Sequence, residues 1–389
     1  MTVLRTPAAH FENLPGWPYQ PEYFTSTLYG MEVRIAYYDI GAPSAAETLV
    51  LTHGMSAWSY LNRRMVPPLV RAGHRVVLFD QVGCGQSDKP AHDDDYTYAR
   101  HIGWNIDLLV NHLHLREATI LLQDWGGIIG LRVAAAHPET FRRLVIANTM
   151  LPTSNDDWFR VSPAFYAWKD FAFRTGLKDS SWIQERGGVW PGQIMSQKAV
   201  GPSNPEMSLE EQAAYGAPYP DDSYKAGARR FPELLPTPPS DPTGRPQFAE
   251  AENNSAAWAV FEKWTKPVLL AFSDEDTVMA GGDAIWKRHC PGTRHEGVRH
   301  VTIKGVGHFL QDGGEEQLVE AITGFIRNTP PSTILDIAAK RDVTAAELDD
   351  IQGAKTAAER AATAKADAHG SDSPWSAMAT PWARETGGP

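Results

Sequence analysis

Short apolar runs alternate with amphipathic stretches through most of the chain. The runs at residues 48–52, 75–80, 118–123, 144–148, 267–272 and 300–304 are rich in Val, Ile and Leu and stop at polar residues or glycine. Runs of that kind predict strands buried on both faces. Between them, residues 98–113 and 127–136 carry apolar positions at helical spacing. Strand alternating with helix predicts a mostly parallel sheet covered on both sides. An earlier pair, near residues 24–29 and 32–40, predicts antiparallel edge strands. The alternation fails between about residues 152 and 236, a stretch rich in Trp, Tyr and Pro that predicts a mainly helical insertion. Residues 236–246 (PTPPSDPTGRP) read as a proline-rich connector.

From about residue 330 the pattern changes again. Residues 344–369 are rich in Ala, Glu and Lys without a clear apolar stripe, and a stretch rich in Gly, Ser and Pro follows. The expectation is a partly helical, largely disordered tail. The predicted organisation is therefore a core in two parts, residues 1–152 and 237–329, a cap at 153–236 and a tail at 330–389. No internal repeat interrupts it.

Composition narrows the function. A chain of 389 residues, 42% of them hydrophobic, can bury a sizeable core. Its net charge of −11, with no Lys/Arg cluster, argues against nucleic acid and anionic membrane surfaces as partners. Cys84 and Cys290 are the only cysteines, so no disulfide framework is implied. No apolar run is long enough to span a bilayer, and the N-terminus does not resemble a signal peptide. The expectation is a soluble, cytoplasmic monomer or small homo-oligomer.

The chemistry gathers at strand ends. Residues 118–130 read ATILLQDWGGIIG, an apolar strand running into Asp124 and then two glycines as a helix begins. Gly126 meets the need for a small residue at a sharp strand-to-helix turn, although Leu122 breaks the full G-x-S-x-G pattern. An aspartate there can displace a leaving group from an sp³ carbon and form an ester. The plainer alternative is an Asp capping the next helix. Hydrolysis of such an ester needs a histidine held by a carboxylate, in the chain order nucleophile, acid, histidine. His308, in GVGHF, follows one predicted strand; the acidic turn Asp274-Glu275-Asp276 follows another, and Asp276 is preferred over its two neighbours. After the strand at 48–52, the turn at His53-Gly54 can offer the Met55 backbone N–H. With the Trp125 N–H it would form an oxyanion hole. His295 with His300, and His112 with His114, lack ligand partners at metal-binding spacing, and no nucleotide-binding glycine motif is present, so neither metal nor cofactor is expected.

Several motifs, in order, resemble the haloalkane dehalogenases: LRTPAAHFENLPGWPYQPEYF, HGMSAWSYLNRRM, GCGQSDKP, QDWGGIIGL, AYGAPYPDDSYKAGARRFPELLP and GVGHFLQDGGEE. The likeness runs from about Leu4 to Arg327 and is strongest to the branch acting on short haloalkanes. It implies an α/β-hydrolase fold with an eight-stranded sheet and a helical cap. It also implies Asp124 as nucleophile, Asp276 as acid and His308 as base. Two indole N–H donors, Trp125 and Trp168, would cradle the halide. Phe165, Ile128, Val278 and Met279 would line the substrate pocket. Three positions depart from the family pattern. Met55 stands where a polar side chain is common, Ser56 replaces the usual proline, and Ile128 sits where this branch can carry an aromatic. Two other readings share the scaffold. An epoxide hydrolase would use cap tyrosines, here Tyr166, Tyr215, Tyr219 or Tyr224; a ligand-binding protein would have no chemistry.

Overall fold

The Val-, Ile- and Leu-rich runs pair into one eight-stranded sheet in the computed structural model, which describes residues 2–55, 57–153, 207–236, 248–276 and 279–331. Its strands are β1 (Glu22–Ser26), β2 (Val33–Ile40), β3 (Thr48–Leu51), β4 (Arg75–Phe79), β5 (Ala118–Gln123), β6 (Phe141–Ala147), β7 (Val268–Ser273) and β8 (Val301–Ile303). They lie in the order β8-β7-β6-β5-β3-β4-β2-β1. The pairs β1–β2 and β2–β4 are antiparallel, and the others are parallel. Every residue of β5 is buried, as expected of a strand covered on both faces. Among the described residues the α-helices are α1 (Val66–Arg71), α2 (Tyr98–Ile106), α3 (Asp124–Ala136), α4 (Leu209–Gly216), α5 (Ala226–Leu234), α6 (Phe248–Phe261), α7 (Gly282–His289) and α8 (Glu315–Asn328).

Several elements differ from the pattern-based expectation, and three of them for reasons seen in the fold alone. The first edge strand ends at Ser26, because residues 28–30 turn the chain back into β2 with Tyr29 at φ 61°. The helix at 98–113 is α-helical only to Ile106; wider π-type turns continue it to His112. β6 begins at Phe141, three residues early, because Arg143 is buried with its charge satisfied. Its guanidinium donates to the Glu47 carboxylate at 2.8 Å and to the Thr329 hydroxyl at 2.8 Å.

The order reverses around β3, which has β4 on one side and β5 on the other. Open α/β sheets bind ligands at the carboxyl ends of strands beside such a reversal. The turns after β3 and β5 carry Met55 and Asp124, so the topology places these two side by side.

The described part of the insertion, residues 207–236, is fastened to the core. A capping box between Ser208 and Glu211 starts α4. The Trp58 indole N–H donates to the Ala214 carbonyl at 3.1 Å. Buried Arg63 pairs with Asp312 at 2.8 Å and Glu211 at 2.6 Å, under the Tyr60 ring. Removing one partner of a buried pair strands the other charge. Arg63→Met is therefore expected to destabilise the fold by about 3–5 kcal/mol, read as a lower urea midpoint at unchanged slope. Residues up to Thr329 form one unit, and Pro330–Pro389 form another that lies almost wholly outside the described residues. No helix among the described residues is long and apolar enough to cross a membrane.

Candidate active site

The turn from β5 into α3 sets Asp124 at φ 48°. Asp and Asn tolerate this left-handed backbone better than other side chains with a Cβ. The conformation is held at both ends: the Asp124 N–H donates to the Asn148 carbonyl at 3.1 Å, and its C=O accepts from the Thr149 hydroxyl at 2.8 Å. The helix begins at Asp124 itself, earlier than the sequence pattern suggested, so the carboxylate sits at the positive end of α3. Gly126 is required because a Cβ there would land on the His53 carbonyl and Thr52.

The carboxylate meets two groups. Its Oδ1 accepts the Met55 backbone N–H at 2.7 Å, and its Oδ2 lies 3.2 Å from His308 Nε2. On the far side of the imidazole, Nδ1 faces Asp276 Oδ2 at 2.8 Å. Asp276 is the member of the acidic turn that reaches the histidine. Asp274 instead accepts the Gly305 N–H at 2.8 Å, which shapes the loop leading to His308. The Met279 backbone N–H donates to Asp276 Oδ1 at 3.0 Å. Burial alone would disfavour the imidazolium, but the Asp276 and Asp124 carboxylates outweigh it and push the His308 pKa up to about 10.

The Met55 turn is rigid for two reasons. Gly54 allows the close approach, since any Cβ would fall on the Asp124 carboxylate. His53 holds the turn from below: its Nδ1 donates to the Gly54 carbonyl at 3.0 Å, and its Nε2 accepts the Gln81 backbone N–H at 3.0 Å. The bond to Nε2 requires a bare ring nitrogen and hence the neutral, Nδ1-protonated ring, and burial lowers the His53 pKa to match.

Trp125 is buried beside the nucleophile. Phe231 of α5 packs against its ring at 5.0 Å and Tyr98 meets it edge-on at 5.7 Å. Among the described residues no acceptor takes its indole N–H. Ile128 and Met279 are buried. Trp168, Phe165, Val278 and Ser56 lie outside the described residues. Of the tyrosines considered for epoxide chemistry, Tyr215 donates its hydroxyl to Asp312 at 2.7 Å, and Tyr166 also lies outside the described residues. Among the described residues no cluster of His, Cys, Asp and Glu could hold a metal ion.

Sequence reasoning missed Gln123, Asn148, Thr149 and Phe231, and the part played by the His53 side chain within a turn it had named. The Gln123 amide nitrogen donates to the His308 carbonyl at 3.2 Å and lies 3.3 Å from His308 Nε2. The Asn148 amide donates to the Gly307 and His308 carbonyls at 3.2 and 3.1 Å, and its oxygen accepts the Ser273 N–H at 3.0 Å. Position was the available signal: Gln123 directly precedes the nucleophile, and Asn148 directly follows β6.

Sheet order, the strained aspartate turn and the Asp–His–Asp arrangement define an α/β hydrolase. Residues 47–179 match the family model for the alpha/beta hydrolase fold. The chain is 40% identical over 331 residues to a haloalkane dehalogenase of Psychrobacter cryohalolentis, covering 85% of this chain and 100% of that protein. It is 39% identical over 323 residues to one of Mycolicibacterium paratuberculosis, covering 83% and 97%. Among solved structures, a tetrameric haloalkane dehalogenase from Paraglaciecola agarilytica superimposes with a TM-score of 0.66 at 28% identity, covering 83% of this chain and 98% of that one. The chain belongs to the haloalkane dehalogenase family, and its reaction is hydrolytic dehalogenation. These likenesses favour neither the epoxide hydrolase nor the binding-only reading.

Proposed function

We propose that Asp124 carries out dehalogenation of small haloalkanes as the nucleophile, with His308 as base and Asp276 as its orienting acid. One observation carries the reading: a single carboxylate has one oxygen on a backbone N–H and the other on an imidazole that is itself held by a second carboxylate.

In the first step Asp124 forms a C–O bond to the halogen-bearing carbon as the C–X bond breaks, and the halide leaves with the electron pair. The product is an alkyl ester of Asp124. The leaving halide gains charge as the bond breaks, so neutral N–H donors stabilise the transition state more than the substrate. The Trp125 indole N–H, buried beside the nucleophile and with no acceptor among the described residues, supports it as one donor, and Trp168 is the second. Ile128 and Met279, with Phe165 and Val278, wall the apolar pocket, and residues 153–236 form its cap.

In the second step neutral His308 takes a proton from water, and the hydroxide adds to the ester carbon. The Met55 and Trp125 backbone N–H groups hold the resulting oxyanion. Collapse breaks the alkyl C–O–acyl linkage on the acyl side; the alkoxide takes the remaining acid proton and leaves as alcohol. Asp124 is again a carboxylate and His308 retains the proton, which suits a resting histidine flanked by two carboxylates. Esterification removes one of those charges, lowers the histidine's affinity for the proton, and frees it to act as base.

The same two carboxylates link folding to pH. A folded pKa raised from 6.5 to about 10 gives a stabilisation fully present below about pH 6.5 and lost as pH rises through about 10.

Trp125→Phe is expected to weaken bromide binding by about 10-fold, the loss of one hydrogen bond to a charged partner, read by bromide quenching of tryptophan fluorescence. The direct test of the function is halide release from chloro-, bromo- and iodoalkanes with styrene oxide alongside; diol formation without halide would overturn it. The buried free thiols of Cys84 and Cys290 support a cytoplasmic setting.

A further inference from the structure

The Gln123 side chain is fully buried against the base, and nothing in the two reaction steps uses it. Its amide nitrogen donates to the His308 carbonyl at 3.2 Å, and its oxygen accepts from the Gln311 amide at 3.4 Å. The His308 carbonyl fixes the orientation: an amide oxygen turned toward it would set one acceptor against another. The amide therefore presents N–H, never C=O, to His308 Nε2 at 3.3 Å. An N–H donor facing a ring nitrogen favours the lone pair there and disfavours a second N–H. The other groups on the ring work the opposite way. Asp276 faces Nδ1, Asp124 faces Nε2, and both favour the imidazolium; the Phe309 ring packs edge-on at 5.0 Å and is uncharged.

We propose that Gln123 is a positioning residue that selects the neutral, Nδ1-protonated form of His308 once Asp124 has been esterified. This rests on the ester mechanism above. In the resting enzyme the Asp124 charge overrides the amide. After alkylation Asp124 no longer carries charge, Asp276 still attracts the proton, and the Gln123 N–H is the fixed group opposing it at Nε2. The long contact, shared with the His308 carbonyl, leaves the lone pair open to water.

The test separates the two steps. Single-turnover reaction with 1,2-dibromoethane is followed from pH 5 to 10, with bromide release reporting alkylation and loss of the ester, by quenched mass spectrometry, reporting hydrolysis. Gln123→Met removes the donor at similar volume. Gln123→Glu keeps the length and shape, so it carries the test if the Met variant does not fold. Alkylation is expected to change by less than about 2-fold. The acid limb of hydrolysis is expected to move up by about one pH unit in Gln123→Met, slowing hydrolysis near pH 7 by about 10-fold, and further in Gln123→Glu. An unmoved limb in a folded variant would overturn the inference, as would equal loss in both steps at every pH, which is what a purely structural role gives. Bromide release by the wild type without any ester would overturn the underlying mechanism instead.

Discussion

Asp124→Asn is expected to abolish turnover, with halide release falling by about 10⁴-fold or more. The amide has no anionic oxygen to displace halide, so the loss falls on the bond-making step. Little else changes. Asparagine tolerates the left-handed backbone at φ 48°, and its carbonyl oxygen can still accept the Met55 N–H. The variant should therefore fold and still bind bromide at Trp125. Intact mass must be recorded before and after assay, because deamidation would regenerate the nucleophile. Normal turnover by a verified Asp124→Asn protein would remove the nucleophile from its assigned place.

His308→Phe is expected to divide the reaction. Alkylation needs the Asp124 carboxylate and not the base, whereas ester hydrolysis needs a proton acceptor for water. The variant should release about one equivalent of halide per chain and then stop, steady turnover falling by about 10⁴-fold. Intact mass should rise by one alkyl group, localised to the peptide containing Asp124. Multiple turnovers, or no burst in a folded protein, would sink the assignment. The phenyl ring occupies similar space but leaves Asp276 without the imidazole; any drop in thermal stability is a separate reading from the burst.

The sequence disclosed the strands because each is a short, dense apolar run, and it singled out Asp124, Asp276 and His308, which the fold brings within hydrogen-bond reach, because each follows the end of such a run. It concealed elements whose stability is non-local. The start of β6 lies outside the apolar run because it carries Arg142 and Arg143, and buried Arg143 is satisfied by Glu47 and Thr329, far away in the chain. Gln123 and Asn148 escaped for a similar reason. A buried amide has no periodic signature; its meaning lies in which carbonyls it reaches, and these come from the turn after β8. The start of α3 was placed at Gly127 because apolar spacing begins there, while the first helical residue is polar for chemical reasons.

Arg143 sits at the opposite end of the sheet from Asp124. Glu47 precedes β3, Thr119 lies early in β5 and Arg143 early in β6, so the buried guanidinium joins the amino ends of neighbouring strands. The reacting groups all occupy the carboxyl ends. The amino end thus holds a stabilising cluster that contains no reacting group. Effects of substitutions at well-separated sites without shared partners usually add. Pocket residues at the reactive end can therefore drift toward new halocarbons while the far end supplies an independent reserve of stability.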